Sequence, residues 1–183
     1  MEALQPMRLR RLVSRFVFVI AVWISLLPAA ALAQQQEQSP FLVDFAKSLV
    51  LDPTTYAPAA IAFDATMRDW NSSQPLFQLG YKEHNARFTV SGWPDDTPIG
   101  YAAGRRQILK DSLAILQVSL VNNATSRLID RVLIAKHPEH RTLFRTLGWI
   151  ERVGFASFMS YHMSAAHYRQ TQLNDLRARQ LAR

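Results

Sequence analysis

Residues 107–136 read QILKDSLAILQVSLVNNATSRLIDRVLIAK. Leu109, Leu113, Leu116, Leu120 and Ala124 recur every three or four positions, the spacing that puts side chains on one face of an α-helix. The stretch holds no Gly and no Pro, so nothing in it interrupts that helix. Read outward, the pattern extends back to about Pro98 and stops at Lys136, ahead of His137-Pro138. A second long helix is expected after Pro138, at a first helical position. Leu143, Leu147, Ile150, Val153, Phe158, Tyr161, Ala165 and Tyr168 form its stripe. Each stripe asks to be buried against another helix.

Shorter helices are expected upstream. Ser39-Pro40 reads as an N-cap followed by Pro, and Phe41, Leu42, Phe45, Leu49 and Val50 carry a helix to about Leu51. Asp52-Pro53 ends it. Another runs from Pro58 to Ser72 with Ile61, Ala65 and Trp70 on one side, and Ser72-Ser73-Gln74-Pro75 terminates it. Residues 73–98 are the irregular region, with Gly80, Gly92, Pro94 and Pro98, and with Phe88-Thr89-Val90 as a brief extended piece. No long alternating pattern and no internal repeat occurs. The fold class is therefore all-α: a bundle of about four helices over residues 40–172, followed by a basic C-terminal tail at 173–183.

Ser112–Ser126 and Val153–Tyr168 carry no formal charge. Each is shorter than the roughly 20 apolar residues that a bilayer demands. They read as helices buried in a bundle, with membrane-embedded hairpins as the alternative.

The first 33 residues read as an export signal cleaved after Ala33, with an uncleaved membrane anchor as the alternative. Arg8, Arg10, Arg11 and Arg15 precede the uncharged run Phe16–Leu27, Pro28, and the small-residue pattern Ala31-Leu32-Ala33. Residues 34–39 form a polar linker. Loss of residues 1–33 lowers the formal charge of the 183-residue chain from +7 to +4, so much of its basicity belongs to the signal and no nucleic-acid partner is expected. The chain has no Cys, which excludes disulfides, thiol catalysis and thiolate metal sites. An exported protein of this kind suits a bacterial periplasm.

Chemical motifs are few. His137 and His140 flank Pro138-Glu139 at a helix junction and are the candidate metal ligands, although a third ligand is undefined. The competing reading is capping, with Glu139 at a positive helix end and His137 at a negative one. His162 and His167 diverge by about 140° around one helix, so one is expected in a hydrogen bond and the other in solvent. Asn122, Asn123 and Gln117 either reach Arg68 or Asp69 across the bundle or face solvent. Asp64 is expected to pair with Arg105 or Arg106, with the binding of a cation as the alternative. No nucleophile elbow, His-Glu-x-x-His or phosphate loop occurs, and no cofactor is implied.

Asp64, Thr66 and the run Gly80-Tyr81-Lys82-Glu83-His84-Asn85 resemble a pattern in small uncharacterised bacterial exported or membrane-domain proteins. There an Asp and a Thr in an early helix precede Gly-x-x-Glu-x-Asn-Pro; here Ala86 stands in place of the Pro. The resemblance implies a polar binding cluster of Asp64, Glu83 and Asn85, anchoring the loop to the bundle. The expected function is a structural or binding role in the cell envelope, with the membrane surface or envelope proteins as partners. The alternatives are a small integral membrane protein, or a metal-dependent enzyme joining His137 and His140 to Asp64 or Glu83.

Overall fold

The computed structural model describes residues 38–181. The expected signal segment, residues 34–37 of the linker, and Ala182 and Arg183 lie outside the described residues. Among the described residues the chain is all-α, as the periodicities require. It forms α1 (Gln38–Val50), α2 (Ala57–Gln78), α3 (Tyr101–Lys136) and α4 (Arg141–Leu181), with single 3-10 turns at Pro53–Thr55, Ala86–Phe88 and Pro138–His140. The chain divides into two compact units, one ending at Ala46 and one spanning Lys47–Arg183. In the first, Phe41 and Phe45 stack one helical turn apart, with ring centroids 5.9 Å from each other. The second unit holds the rest of the fold and the site.

The long helices begin and end close to where the sequence places them. Two boundaries differ. The helix expected to stop at Ser72 continues to Gln78, with Pro75 inside it. Pro75 cannot give an N–H to the Asn71 carbonyl. The side chains around it hold the turn instead: Ser72 and Ser73 hydroxyls donate to the Asp69 carbonyl, and the Gln74 amide donates to the Trp70 carbonyl. Beyond it, Leu76 is buried and Phe77 packs its ring 5.5 Å from Trp70, so tertiary packing overrides the break. The second difference is at the C-terminus. α4 runs unbroken through the tail region to Leu181, and Asn174 within it is buried.

The interior is the larger surprise. On α3 the buried residues are Gly104, Ile108, Ser112, Ile115, Ser119, Asn123 and Ser126. On α4 they are Gly148, Arg152, Ala156, Ser164 and Asn174. Both expected stripes are turned partly outward: Leu109, Leu113, Leu143, Leu147, Ile150, Phe158 and Tyr161 are exposed, the last two by 63% and 75%, while Leu116, Leu120, Ala124, Val153, Ala165 and Tyr168 are half-buried. The reason lies on α2, whose inner face is Ala59, Ala62 and Ala65. Such small residues draw neighbouring backbones close, and small side chains fill the space between them. Ser112 and Ser164 satisfy their hydroxyls on carbonyls of their own helices, at 2.9 and 2.6 Å, so their burial leaves no polar group stranded.

Two apolar clusters form the core. Ala59, Ala62 and Ile115 pack with Leu116, Met159 and Met163. Trp70, Phe88 and Ile108 pack with Met67, Phe77 and Ile99. Gly104 is required here, because a Cβ at that position would run into the Trp70 indole. The uncharged stretches of α3 and α4 thus supply part of a bundle interior. No helix among the described residues is long and apolar enough to cross a membrane.

The opposite end of the bundle is tied by charge. Arg152, only 7% exposed, lies 3.3 Å from Asp52 and 3.1 Å from Asp130, and Arg127 donates to Asp52 at 2.6 Å. Asn123 donates to the hydroxyls of Thr54 and Thr55, at 2.8 Å each. The amide therefore meets the Pro53–Thr55 turn and not the expected Arg68 or Asp69. Asn122 reaches Glu151 at 3.1 Å, and Gln117 is exposed.

Candidate functional site

Two polar stripes face one another where α2 packs on α4. Thr66, Asp69 and Ser73 are spaced i, i+3, i+7 on α2, and His167, Gln170, Asn174 and Arg177 continue the same kind of spacing on α4. The loop after α2 closes over them. Gly80, at φ +88°, turns the chain out of the helix, a conformation that glycine adopts without a Cβ penalty. Glu83 and Asp96 then exchange backbone hydrogen bonds at 2.9 and 3.2 Å, which pins the loop into a short antiparallel pairing. The Asn85 side chain accepts the Arg87 N–H and caps the Ala86–Phe88 turn. That turn sits where the extended piece was expected to begin, and it drops Phe88 onto Trp70 with ring centroids 5.3 Å apart.

These elements enclose a pocket of about 440 Å³. Its wall is apolar, from Trp70, Leu76, Phe77 and Phe88, and its rim is polar, from Tyr81, Lys82, Glu83, His84 and Asn85. Asp69 is the anchor. Its carboxylate meets His167 Nδ1 at 2.7 Å and accepts from Asn174 Nδ2 at 3.3 Å. Asn174 also donates to Ser73 at 2.8 Å and Ser72 at 3.1 Å, while Gln170 donates to Asn174 Oδ1 at 2.9 Å. A chain of side chains from both helices is therefore fixed in place. The Asp69 contact settles which imidazole nitrogen of His167 faces the carboxylate and leaves Nε2 as the other.

Glu83 behaves differently. Burial pushes its carboxyl above the ordinary glutamate value of 4.5, and the nearby charge of Asp69 adds to the rise. Its Oε1 accepts the Asn85 N–H at 2.8 Å, a bond that works in the opposite direction. His84 pairs with Asp95, and Lys82 donates to Thr97 at 3.2 Å. Arg177 lies over the Tyr81 ring, 5.3 Å from its centroid.

The expected polar cluster is brought together in part. Glu83 and Asn85 touch and both line the pocket. Asp64 is not among the lining residues. It accepts from Arg68 at 2.8 Å and from the Tyr168 hydroxyl at 2.9 Å, in place of the expected Arg105 or Arg106, and these bonds hold its carboxyl below the usual range. His162 stacks on Phe158 in solvent, and His167 makes the hydrogen bond.

His137 and His140 lie at the α3–α4 junction, about 40 Å from the pocket along α4 at 1.5 Å per residue. Both are more than half exposed; they approach Glu139 at 3.4 and 3.8 Å and the Phe144 ring with centroids 6.4 and 6.2 Å away. His137 caps α3, its N–H donating to the Leu133 carbonyl at 2.9 Å. Among the described residues no group of three or more His, Asp or Glu is placed to hold a metal ion. The two imidazoles do not converge with Asp64 or Glu83.

Sequence reasoning missed Asp69, Asn174, Gln170 and Arg177, because Asp69 and His167 stand 98 positions apart. The available signal was the helical spacing of polar residues at 167, 170, 174 and 177. Comparison of the chain with protein-family models, curated proteins and solved structures finds no match.

Proposed function

We propose that this protein is an exported helical binding protein of the bacterial cell envelope, with the α2–α4 pocket as its binding site. The observation that carries the reading is the pocket itself. An apolar wall faces polar side chains already held by one another, which is how a site limits the ordering cost of taking a ligand. The envelope location rests on the charged, apolar and small-residue order of residues 8–33. Fractionation of cells expressing the full chain, with intact mass of the product, tests it. A periplasmic or membrane-bound species beginning at Gln34 is the expected outcome. A full-length species in the cytosol overturns the envelope assignment.

The outward stripe on α4 favours a second reading, a structural role through contact with a protein or lipid partner. Leu143, Leu147, Ile150, Phe158 and Tyr161 recur along about 27 Å of helix, an exposed apolar patch of the kind that marks contact surfaces. Absence of the mature protein from the membrane fraction, together with a monomeric mass in solution, would count against it.

A further inference from the structure

We propose that the pocket takes a small organic amine, its ammonium paired with Glu83 and its apolar body laid on the Trp70, Phe77 and Phe88 wall. This rests on the reading of the pocket as a binding site. Asp69 is engaged by His167 and Asn174. His84 is engaged by Asp95, Lys82 by Thr97, and Arg177 by the face of Tyr81. Glu83 is the half-buried carboxylate among them: it accepts the Asn85 N–H and feels the charge of the His84 ring, but no Lys, Arg or His among the described residues forms an ion pair with it. A half-buried carboxylate without a cation is costly to ionise. A ligand that brings the cation offsets that cost.

The chemistry of the rest of the pocket decides which cation. A metal ion needs several hard or imidazole ligands converging at short range. No such group occurs among the described residues. An ammonium needs only one carboxylate and hydrogen-bond acceptors around it. The apolar wall requires a ligand with a hydrocarbon or aromatic body. About 440 Å³ leaves ample room for a molecule the size of a phenylalkylamine. Lys82 and Arg177 meet only a hydroxyl and an aromatic ring and keep their charge, but both stand exposed at the rim, where water screens them; a carboxylate seated deeper would meet the like charges of Asp69 and Glu83. The site is thus selective by charge as well as by shape.

The test is a titration of the full chain with matched probes, read by calorimetry. The probes are butylamine, 1,5-diaminopentane and 2-phenylethylamine, with 1-butanol and 2-phenylethanol as neutral partners and 3-phenylpropionate as the anion. At least one amine is expected to bind tenfold or more tightly than its alcohol, and 3-phenylpropionate more weakly than either. Glu83→Gln is expected to remove the preference for amine over alcohol while alcohol binding persists. Thermal unfolding of the variant shows whether it is folded. Amine affinity is expected to rise with pH as Glu83 ionises. If no amine exceeds its alcohol, or if E83Q keeps the preference, the amine assignment is overturned and the pocket reading survives through the alcohols. If no probe of any charge binds the wild type, both fall.

Discussion

At the scale of single residues, Glu83 and Asp52 are two carboxylates moved in opposite directions. Glu83 is raised by burial, so folding favours its protonated form. Its favourable contribution is complete below the ordinary value of 4.5 and is lost as pH climbs through the raised folded value. Glu83→Gln is therefore expected to melt at a higher temperature than the wild type at pH 7.5, the difference closing at pH 4. At Asp52 burial also works upward, but the hydrogen bonds from Thr54 and Arg127 outweigh it and hold the carboxyl below 3.8. Its contribution is present above 3.8 and lost as pH falls through the lower folded value. Asp52→Asn is expected to lower the melting temperature at pH 7.5 and to matter progressively less in acid. One pH series of thermal unfolding curves checks both signs. Little of this was legible beforehand. The Asp64 and Glu83 motif pointed to the loop that borders the pocket, but the residues that fix the pocket come from two helices distant in the chain.

At the scale of elements, the helices themselves were readable because Gly, Pro and apolar spacing act locally. Pro138 and Asp52-Pro53 mark boundaries that the structure keeps. Pro75 was misread, since the burial of Leu76 and the Trp70–Phe77 contact lie outside any local rule. The proline is exposed and still costs its helix a backbone hydrogen bond. Pro75→Ala is expected to stabilise the protein by about 1–3 kcal/mol, the scale of proline's helix penalty. Urea unfolding measures it, and a loss of stability would mean that the bend at Pro75 is needed to seat Phe77. The direction in which a helix faces was equally hard to read. Apolar periodicity identifies two stripes, and on α3 the structure buries the adjacent face one position over, Gly104, Ile108, Ser112, Ile115, Ser119 and Asn123, while α4 buries Gly148, Arg152, Ala156, Ser164 and Asn174. Recurrent small residues at the same spacing were the better guide to close helix contact.

At the scale of the whole molecule, this arrangement separates stability from surface. Ile108 is 1% exposed, and Ile108→Ala is expected to cost about 2–5 kcal/mol. Phe158, a larger side chain, is expected to change stability by no more than about 0.5 kcal/mol when replaced by Lys, since it packs in solvent. Denaturant titration of both variants distinguishes an outward stripe from a buried one. If Phe158→Lys unfolds the protein, the stripe has an interior role.

Water itself registers the choice of interior. Unfolding raises the heat capacity through newly wetted apolar surface and lowers it through newly wetted polar surface. Ser112, Ser119, Asn123, Ser126, Arg152, Ser164 and Asn174 are polar groups that this bundle hides, while many of its Leu, Ile and Phe side chains are wet before it unfolds. Its heat-capacity increment is therefore expected to fall below the roughly 12–15 cal/mol/K per residue of ordinary domains. A small increment flattens the curve of stability against temperature. Such a protein loses little on cooling and yields slowly on heating, a breadth that comes from hydration and owes nothing to a larger core.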